Sequence, residues 1–285
     1  MRRRQADAVV RVVGAAVLFS TGGAAIKASA LPGMDVASLR SGIAAAALLL
    51  WLRGRVQWSA RTLAVGAAYA ATLILFVVST KLTTAASAIF LQSTAPLYIA
   101  ILAPLLLGER LRRRDLAFLA AAGAGLTLCF AGRIDATLTA PDPATGNLLG
   151  ILCSLSWALT LLGLRWLEQA QPGAAVSAVV VGNLLAFSVG LPSLWPLPAA
   201  TAGDWAMLAY LGVFQIGCAY VLLTGAVDRL PALHVSLLLL VEPVLNPVWT
   251  WLVHGERPGA WTLAGGAIII AAASAQALYD ARTPE

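Results

Sequence analysis

Residues 96–110 read PLYIAILAPLLLGER, and residues 243–257 read PVLNPVWTWLVHGER. In both stretches a proline is followed, after eleven residues, by Gly-Glu-Arg at the end of a long apolar segment, and the copies lie 147 positions apart. A repeat of this kind predicts that the chain contains one structural unit twice. We therefore divide it into residues 1–135 and residues 146–285, with a linker in the polar run from Arg133 to Asn147.

The composition is that of a membrane protein. Apolar residues make up 60% of the chain, charged residues 11%, and the mean hydropathy is +0.83, whereas soluble domains carry about 25% charged residues. Windows of about 20 apolar residues predict ten transmembrane helices. The ten stretches are residues 8–29, 35–53, 60–80, 84–107, 115–133, 147–167, 174–193, 203–224, 231–253 and 259–279. The first exceeds the apolar core of about 7–15 residues found in cleavable signal peptides, so we expect it to be retained.

The distribution of positive charge predicts the topology of this all-α membrane bundle. If the N-terminus is cytoplasmic, fourteen of the 19 lysines and arginines lie on the cytoplasmic side. The positive-inside rule then places both termini in the cytoplasm. Because this asymmetry explains the net charge of +6, no nucleic-acid partner is expected. The five basic residues assigned to the other side are Lys27, Arg40, Lys81, Arg133 and Arg257.

Five helices in each half would give the two repeats opposite orientations in the bilayer. The loop charges agree with this arrangement. Arg112, Arg113 and Arg114 follow the first Gly-Glu-Arg, whereas Pro-Gly-Ala-Trp follows the second. The basic copy is expected on the cytoplasmic side and the neutral copy outside. The sequence therefore predicts two inverted five-helix repeats.

The closing motifs of the two halves carry a family resemblance. Pro96 with Gly108-Glu109-Arg110-Leu111, and Glu242-Pro243 with Gly255-Glu256-Arg257, resemble the EamA-type branch of the drug/metabolite transporter superfamily, and the resemblance extends over the whole chain. Within that branch the chain is similar to the bacterial aromatic amino acid exporters. The resemblance implies ten helices in two repeats, a bacterial inner membrane and small organic substrates.

The resemblance also bears on anionic substrates. Relatives that carry nucleotide sugars or triose phosphates are implied to use intramembrane lysine or arginine. No basic residue is expected at mid-membrane in this chain, so phosphorylated substrates are not predicted.

Glu242 is the strongest candidate for a substrate-binding residue. It is the only ionisable side chain expected near the centre of a span, where a charge is costly and a carboxyl usually has a function. Such a group can bind a substrate amine or exchange a proton. Alternatively, it belongs to the fold and bonds backbone groups freed by Pro243. Asn246, one helical turn later, shares its face.

Further polar and aromatic residues fall at a similar depth and are predicted to line a cavity between the repeats. They are Gln92, Tyr98, Trp157, Gln215, Tyr220, Tyr69, Ser20 and Thr21. A single Gln or Tyr in a span more often bonds a neighbouring helix than a substrate. Trp157, the one tryptophan away from the interfaces, is either a stacking surface for a planar substrate or a packed ring.

The paired prolines predict corresponding interruptions in the two halves. Pro96 is expected to break the fourth helix, and Pro243 the ninth, because proline removes a helical hydrogen bond. We expect both breaks to serve as hinges in alternating access.

Motifs of other protein classes are missing from the sequence. Neither a zinc-binding His-Glu-x-x-His nor a Walker motif occurs, and no loop resembles a channel filter. Cys129, Cys153 and Cys218 lie in apolar stretches as packing residues, and His234 and His254 are interpreted as surface histidines, so neither a metal nor another cofactor is expected.

These observations together predict a carrier in the bacterial inner membrane. It is expected to act as a monomer or weak homodimer in the lipid bilayer and to export small organic metabolites by alternating access. Amino acids, including aromatic ones, are the leading substrate class. Hydrophobic cations are the alternative, and a membrane enzyme is the less favoured one.

Overall fold

The helices of the computed structural model follow the predicted apolar stretches. It describes residues 2–109, 113–129 and 140–255, together with individual positions between 261 and 275. In this part of the chain the helices are α1 (Arg2–Ser20), α2 (Gly22–Ala28), α3 (Gly33–Trp51), α4 (Ala60–Leu82), α5 (Ala85–Gln92), α6 (Ala95–Leu106), α7 (Arg113–Cys129), α8 (Pro143–Ala170), α9 (Ala174–Gly190), α10 (Ala202–Tyr210), α11 (Ala219–Thr224), α12 (Ala232–Leu238) and α13 (Val241–His254). A π-helix, Leu211–Cys218, joins α10 to α11.

The fold is that of a multi-pass membrane protein. Eight segments of the described chain are long and apolar enough to cross a membrane, and they correspond to the first four predicted stretches and to the sixth through ninth. The fifth stretch contains α7, which has 17 residues, and its end at residues 130–133 lies outside the described residues. The tenth stretch lies largely outside them as well. The count of ten spans and the cytoplasmic termini therefore stay predictions.

Two of the spans are broken at equivalent places. The first break separates α5 from α6 at Ser93 and Thr94, and the second separates α12 from α13 at Leu239 and Leu240. Near both breaks the backbone bonds reach only three residues back, as in Thr94 to Leu91 at 3.1 Å and Leu240 to Leu237 at 3.1 Å. Since Pro96 and Pro243 follow in the first turn of the next helix, the predicted interruptions are present. The hinge motion stays a prediction.

The centre of the bundle is built on α4, which packs against α8 and α9. Gly66 and Gly182 allow α4 and α9 to approach each other closely. A Cβ atom on Gly182 would lie 2.5 Å from Tyr69 Cδ1 and 2.7 Å from the Gly66 carbonyl oxygen. Only glycine fits there, and the close contact leaves the Tyr69 side chain fully buried.

The predicted cytoplasmic end of the bundle is closed by the acid of the first Gly-Glu-Arg motif. Glu109 forms an ion pair with Arg165 of α8 and accepts a hydrogen bond from the Ala232 amide of α12 at 3.0 Å. Arg165 also donates to the carbonyl oxygens of Val227, at 2.6 Å, and Leu230. The end of α6, the end of α8 and the start of α12 are therefore joined through two side chains. We call this cluster the Glu109–Arg165 closure.

His234 lies on the same side and corrects an expectation. It is 8% exposed, and its Nε2 lies 3.4 Å from Asp115 Oδ1 of α7. It is therefore not a surface histidine, because the start of α12 is covered by α7. His254 is exposed, and its Nε2 lies 2.9 Å from the Ala24 carbonyl oxygen.

The opposite end of the bundle is also closed. Lys81 of α4 donates to the Ser29 carbonyl oxygen at 2.6 Å, and Asp204 of α10 accepts from the Ser29 hydroxyl and the Ala30 amide. These bonds connect the segment after α2 to two other helices. Helices are thus tied together by polar contacts at both ends of the bundle.

Candidate functional site

A small cavity lies in the interior of the bundle. Polar side chains on its walls come from the helix breaks, from the π-helix and from the regular helices α3 and α4. Gln92 comes from the last turn of α5, Glu242 from the first turn of α13, and Gln215 from the π-helix. A second small cavity shares Gln92, Trp157 and Glu242 with the first. Five of the ten predicted residues line these two cavities: Gln92, Trp157, Gln215, Tyr220 and Glu242.

Glu242 is buried, at 6% exposure, and lines both cavities. The residue lies in the first turn of α13. No side chain or amide in the described ranges donates a hydrogen bond to that carboxyl. The group therefore offers its full hydrogen-bonding capacity to whatever occupies the cavity.

Arg40 lines the first cavity as well, and this corrects the expectation that no basic residue lies at mid-membrane. The side chain is 1% exposed, and it donates from Nη1 to Gln215 Oε1 at 3.3 Å and from Nη2 to the Leu73 carbonyl oxygen at 3.2 Å. Because α3 begins at Gly33, Arg40 lies about two turns inside the helix and not at its outer end. Phosphorylated substrates were not predicted because no basic residue was expected at mid-membrane, and the position of Arg40 removes this reason.

Aromatic rings form the apolar part of the site. The Tyr220 ring centroid lies 5.0 Å from that of Phe19, 4.6 Å from that of Tyr69 and 6.2 Å from that of Trp157. Phe19, Trp157 and Tyr220 line the cavity, and Tyr69 lies behind Tyr220. Trp157 is 6% exposed, so it is a packed ring that also faces the cavity and not a lipid-facing one.

The two glutamines serve the site differently. Gln215 accepts the Arg40 hydrogen bond from a π-helical turn, a local widening that recurs at functional sites. Gln92 faces both cavities, and its Oε1 lies 3.7 Å from the Cys153 thiol, a weak donor. Cys153 thus packs as a small buried residue, as expected, at the edge of the site.

The remaining predicted residues lie away from the cavity lining. Tyr98 is half-buried on α6 and packs against the core. Asn246 is fully buried against α2, where a Cβ on Gly23 would lie 2.5 Å from Asn246 Oδ1. Ser20 accepts a hydrogen bond from Trp249 Nε1 at 2.8 Å, and Thr21 accepts one from the Tyr210 hydroxyl at 2.8 Å. Ser20 and Thr21 thus connect helices, whereas the side-chain amide of Asn246 is buried without a hydrogen-bond partner in the described structure.

One sequence signal for Arg40 was available. The span Gly33–Trp51 is the least hydropathic of the eight, and Asp35 and Arg40 lie five residues apart within it, so both cannot lie at the same membrane boundary. A polar residue inside a span is a candidate functional residue by default. Among the described residues no cluster of three or more His, Cys, Asp or Glu side chains is arranged to bind a metal ion.

Comparisons with known proteins agree with the fold. The EamA-like transporter family model matches residues 8–131 and 144–275. Two relatives, the pseudopaline exporter CntI of Pseudomonas aeruginosa strains UCBPP-PA14 and PAO1, are each 26% identical over 189 residues, covering 66% of this chain and 64% of the relative. The match thus spans just under two thirds of the relatives' length.

A solved structure described as "Crystal structure of protein" matches with a TM-score of 0.75, covering 99% of this chain and 100% of that one at 20% identity. A likeness at this identity shows the fold alone. The family match, however, covers most of the sequence in two successive segments and concerns transporters rather than enzymes. The chain therefore belongs to the EamA-like transporter family.

Proposed function

We propose that the protein exports small organic metabolites that carry an amine, with amino acids as the leading class. The observation that carries this proposal is the position of Glu242, a carboxyl without a described protein partner that faces two cavities inside the bundle. An ammonium group would form a charge-assisted hydrogen bond to the carboxyl.

Export is supported by the relatives, which are exporters of a small molecule by their description. The aromatic rings of Phe19, Trp157 and Tyr220 beside Glu242 favour substrates with an apolar or planar side chain, because ring faces and edges pack against such groups. Aromatic amino acids combine this side chain with an amine. They are accordingly the first substrates to test.

Hydrophobic cations are the second candidate class. Trp157 and Tyr220 present rings beside a carboxyl, and a cation binds to such rings by cation–π attraction. This arrangement needs no other charged group. The two classes differ in their carboxylate, which amino acids have and hydrophobic cations lack.

Counterflow in proteoliposomes separates these candidates. Purified protein would be reconstituted with one unlabelled compound inside, and uptake of the same labelled compound would be measured for a panel of aromatic, aliphatic and acidic amino acids and of quaternary aromatic cations. We expect the aromatic amino acids to exchange at least tenfold faster in proteoliposomes than in protein-free liposomes. Exchange of the cations alone would replace the first candidate by the second.

The mechanism we propose is alternating access by two inverted repeats, residues 1–135 and 146–285, in a protein of the bacterial inner membrane with both termini cytoplasmic. The paired breaks at Ser93–Thr94 and Leu239–Leu240 would be the hinges, with Pro96 and Pro243 in the moving turns. We propose that the protein acts as a monomer or weak homodimer. In this mechanism the Glu109–Arg165 closure is the gate on the cytoplasmic side.

Arg165→Gln is expected to open that gate. Removing one partner of a buried ion pair costs about 3–5 kcal/mol, so the cytoplasm-open state should gain population. In a background without native cysteines and with Gln92→Cys as reporter, we expect a membrane-impermeant maleimide to react at least tenfold faster in inside-out vesicles. Arg55→Gln, a change at an exposed arginine on the same predicted side, is the control.

The labelling side also tests the topology. Faster reaction in right-side-out cells only would reverse the predicted orientation. An unchanged rate from both sides would show that the ion pair is not the gate.

A further inference from the structure

We infer that Arg40 binds the carboxylate of the substrate, and that Arg40 and Glu242 together make the cavity a site for zwitterions. This inference rests on the proposed function and names the chemistry of its substrate. It assigns a role to a residue that the charge distribution of the sequence had placed outside the site.

The first step concerns the unused capacity of Arg40. A guanidinium carries five N–H donors, and the described residues accept two hydrogen bonds from it, both at 3.2 Å or longer. Its Nε is buried without any partner. A donor left unpaired in this way is costly, whereas a carboxylate in the cavity would accept two parallel bonds from the planar fork.

The second step concerns charge. Arg40 is almost completely buried, and no carboxylate of the described chain forms an ion pair with it. A buried cation without a counterion is strongly unfavourable. Glu242 lines the same cavity but is not paired with Arg40. The cavity therefore holds a guanidinium and, apart from it, a carboxyl, and an amino acid headgroup offers a carboxylate to the first and an ammonium to the second.

The third step concerns how the fold positions Arg40. Gly212 of the π-helix packs against α3 so closely that a Cβ there would lie 2.8 Å from the Arg40 carbonyl oxygen and 2.7 Å from Ile43 Cγ2. This contact brings Gln215, less than one turn further on, within reach of the guanidinium. Leu73 of α4 provides the second acceptor. The guanidinium is thus oriented by two uncharged oxygens, which leave its charge available to a ligand.

The test compares three competitors of L-phenylalanine counterflow: L-phenylalanine itself, phenethylamine, which lacks the carboxylate, and 3-phenylpropionate, which lacks the amine. For the wild type we expect L-phenylalanine to compete at least tenfold better than either analogue. In Arg40→Gln we expect this advantage over phenethylamine to disappear, and in Arg40→Lys, which keeps the charge without the fork, to return in part. Arg55→Gln should retain the wild-type selectivity.

The outcomes separate the two claims. Exchange of quaternary cations but no amino acid by the wild type would end the proposed function. Amino acid exchange with an undiminished preference for the carboxylate in Arg40→Gln would overturn the role of Arg40 alone. If Arg40→Gln does not fold, the wild type and Arg40→Lys provide the test. Equal competition by L-phenylalanine and phenethylamine in the wild type would overturn the inference. It would also be overturned if Arg40→Lys kept the wild-type selectivity and an organic phosphate competed better than L-phenylalanine.

Discussion

Glu242→Gln should reduce amino acid counterflow by about 10- to 100-fold without loss of folded protein. A hydrogen bond to a charged group contributes about 1.5–3 kcal/mol, and each 1.4 kcal/mol is a factor of about ten in affinity. The amide has nearly the same shape as the carboxyl and lacks its charge. Since no described residue donates to the Glu242 carboxyl, the substitution breaks no hydrogen bond of the described fold. The measurement is the counterflow rate across substrate concentrations, together with the thermal unfolding temperature in detergent.

Asp228→Asn is the matched control for this experiment. It also removes one negative charge, but at an exposed position between α11 and α12. We expect its counterflow to equal that of the wild type. If Glu242→Gln also transports amino acids with wild-type affinity and rate, Glu242 is an element of the fold and the amine-binding role is wrong.

Gly182→Ala, which adds a single methyl group, is expected to destabilise the bundle. The added Cβ would lie 2.7 Å from the Gly66 carbonyl oxygen and 2.5 Å from Tyr69, and a backbone atom cannot be displaced without moving α4. Overpacking of this kind costs about 1–3 kcal/mol. Because Tyr69 packs behind Tyr220 at the cavity, we expect both a lower unfolding temperature, followed by tryptophan fluorescence, and weaker substrate binding.

The control for Gly182→Ala uses the same chemical change where the helix has room. No atom of the described structure lies within 4 Å of a Cβ placed on Gly123 of α7. Gly123→Ala should leave the unfolding temperature unchanged or raise it slightly, since alanine favours helix by about 1 kcal/mol over glycine. Equal unfolding temperatures for the two variants would contradict the close contact between α4 and α9.

The helical fold could be predicted from the sequence because the bilayer imposes a length and a composition on every span. The breaks in the fourth and ninth spans were predictable for a similar reason, since proline has a local effect that does not depend on neighbours. Glu242 was found because a carboxyl in a long apolar run is conspicuous. Gln92, Gln215, Trp157 and Tyr220 were found by depth alone.

Arg40, Asn246 and Tyr98 show where this reasoning stops. Depth along a span does not determine which face of the helix a residue occupies, and that face depends on how helices pack. Asn246 shares one helix with Glu242 yet packs against Gly23 of α2. The position of Arg40 depends on where α3 begins and on the π-helical turn that brings Gln215 to it. No local pattern encodes either contact.

The acceptors of Arg40 have a consequence for synthesis of the protein. An arginine near the centre of a span costs about 2.5–3.5 kcal/mol during insertion, and α3 leaves the ribosome before the two segments that provide the acceptors of Arg40. Of its two acceptors, Leu73 follows soon, but Gln215 is made 175 residues after Arg40. Until Gln215 has been made, the arginine in the first half of the chain therefore lacks one of its two acceptors. The packing around Arg40 is completed only after the second half has been inserted.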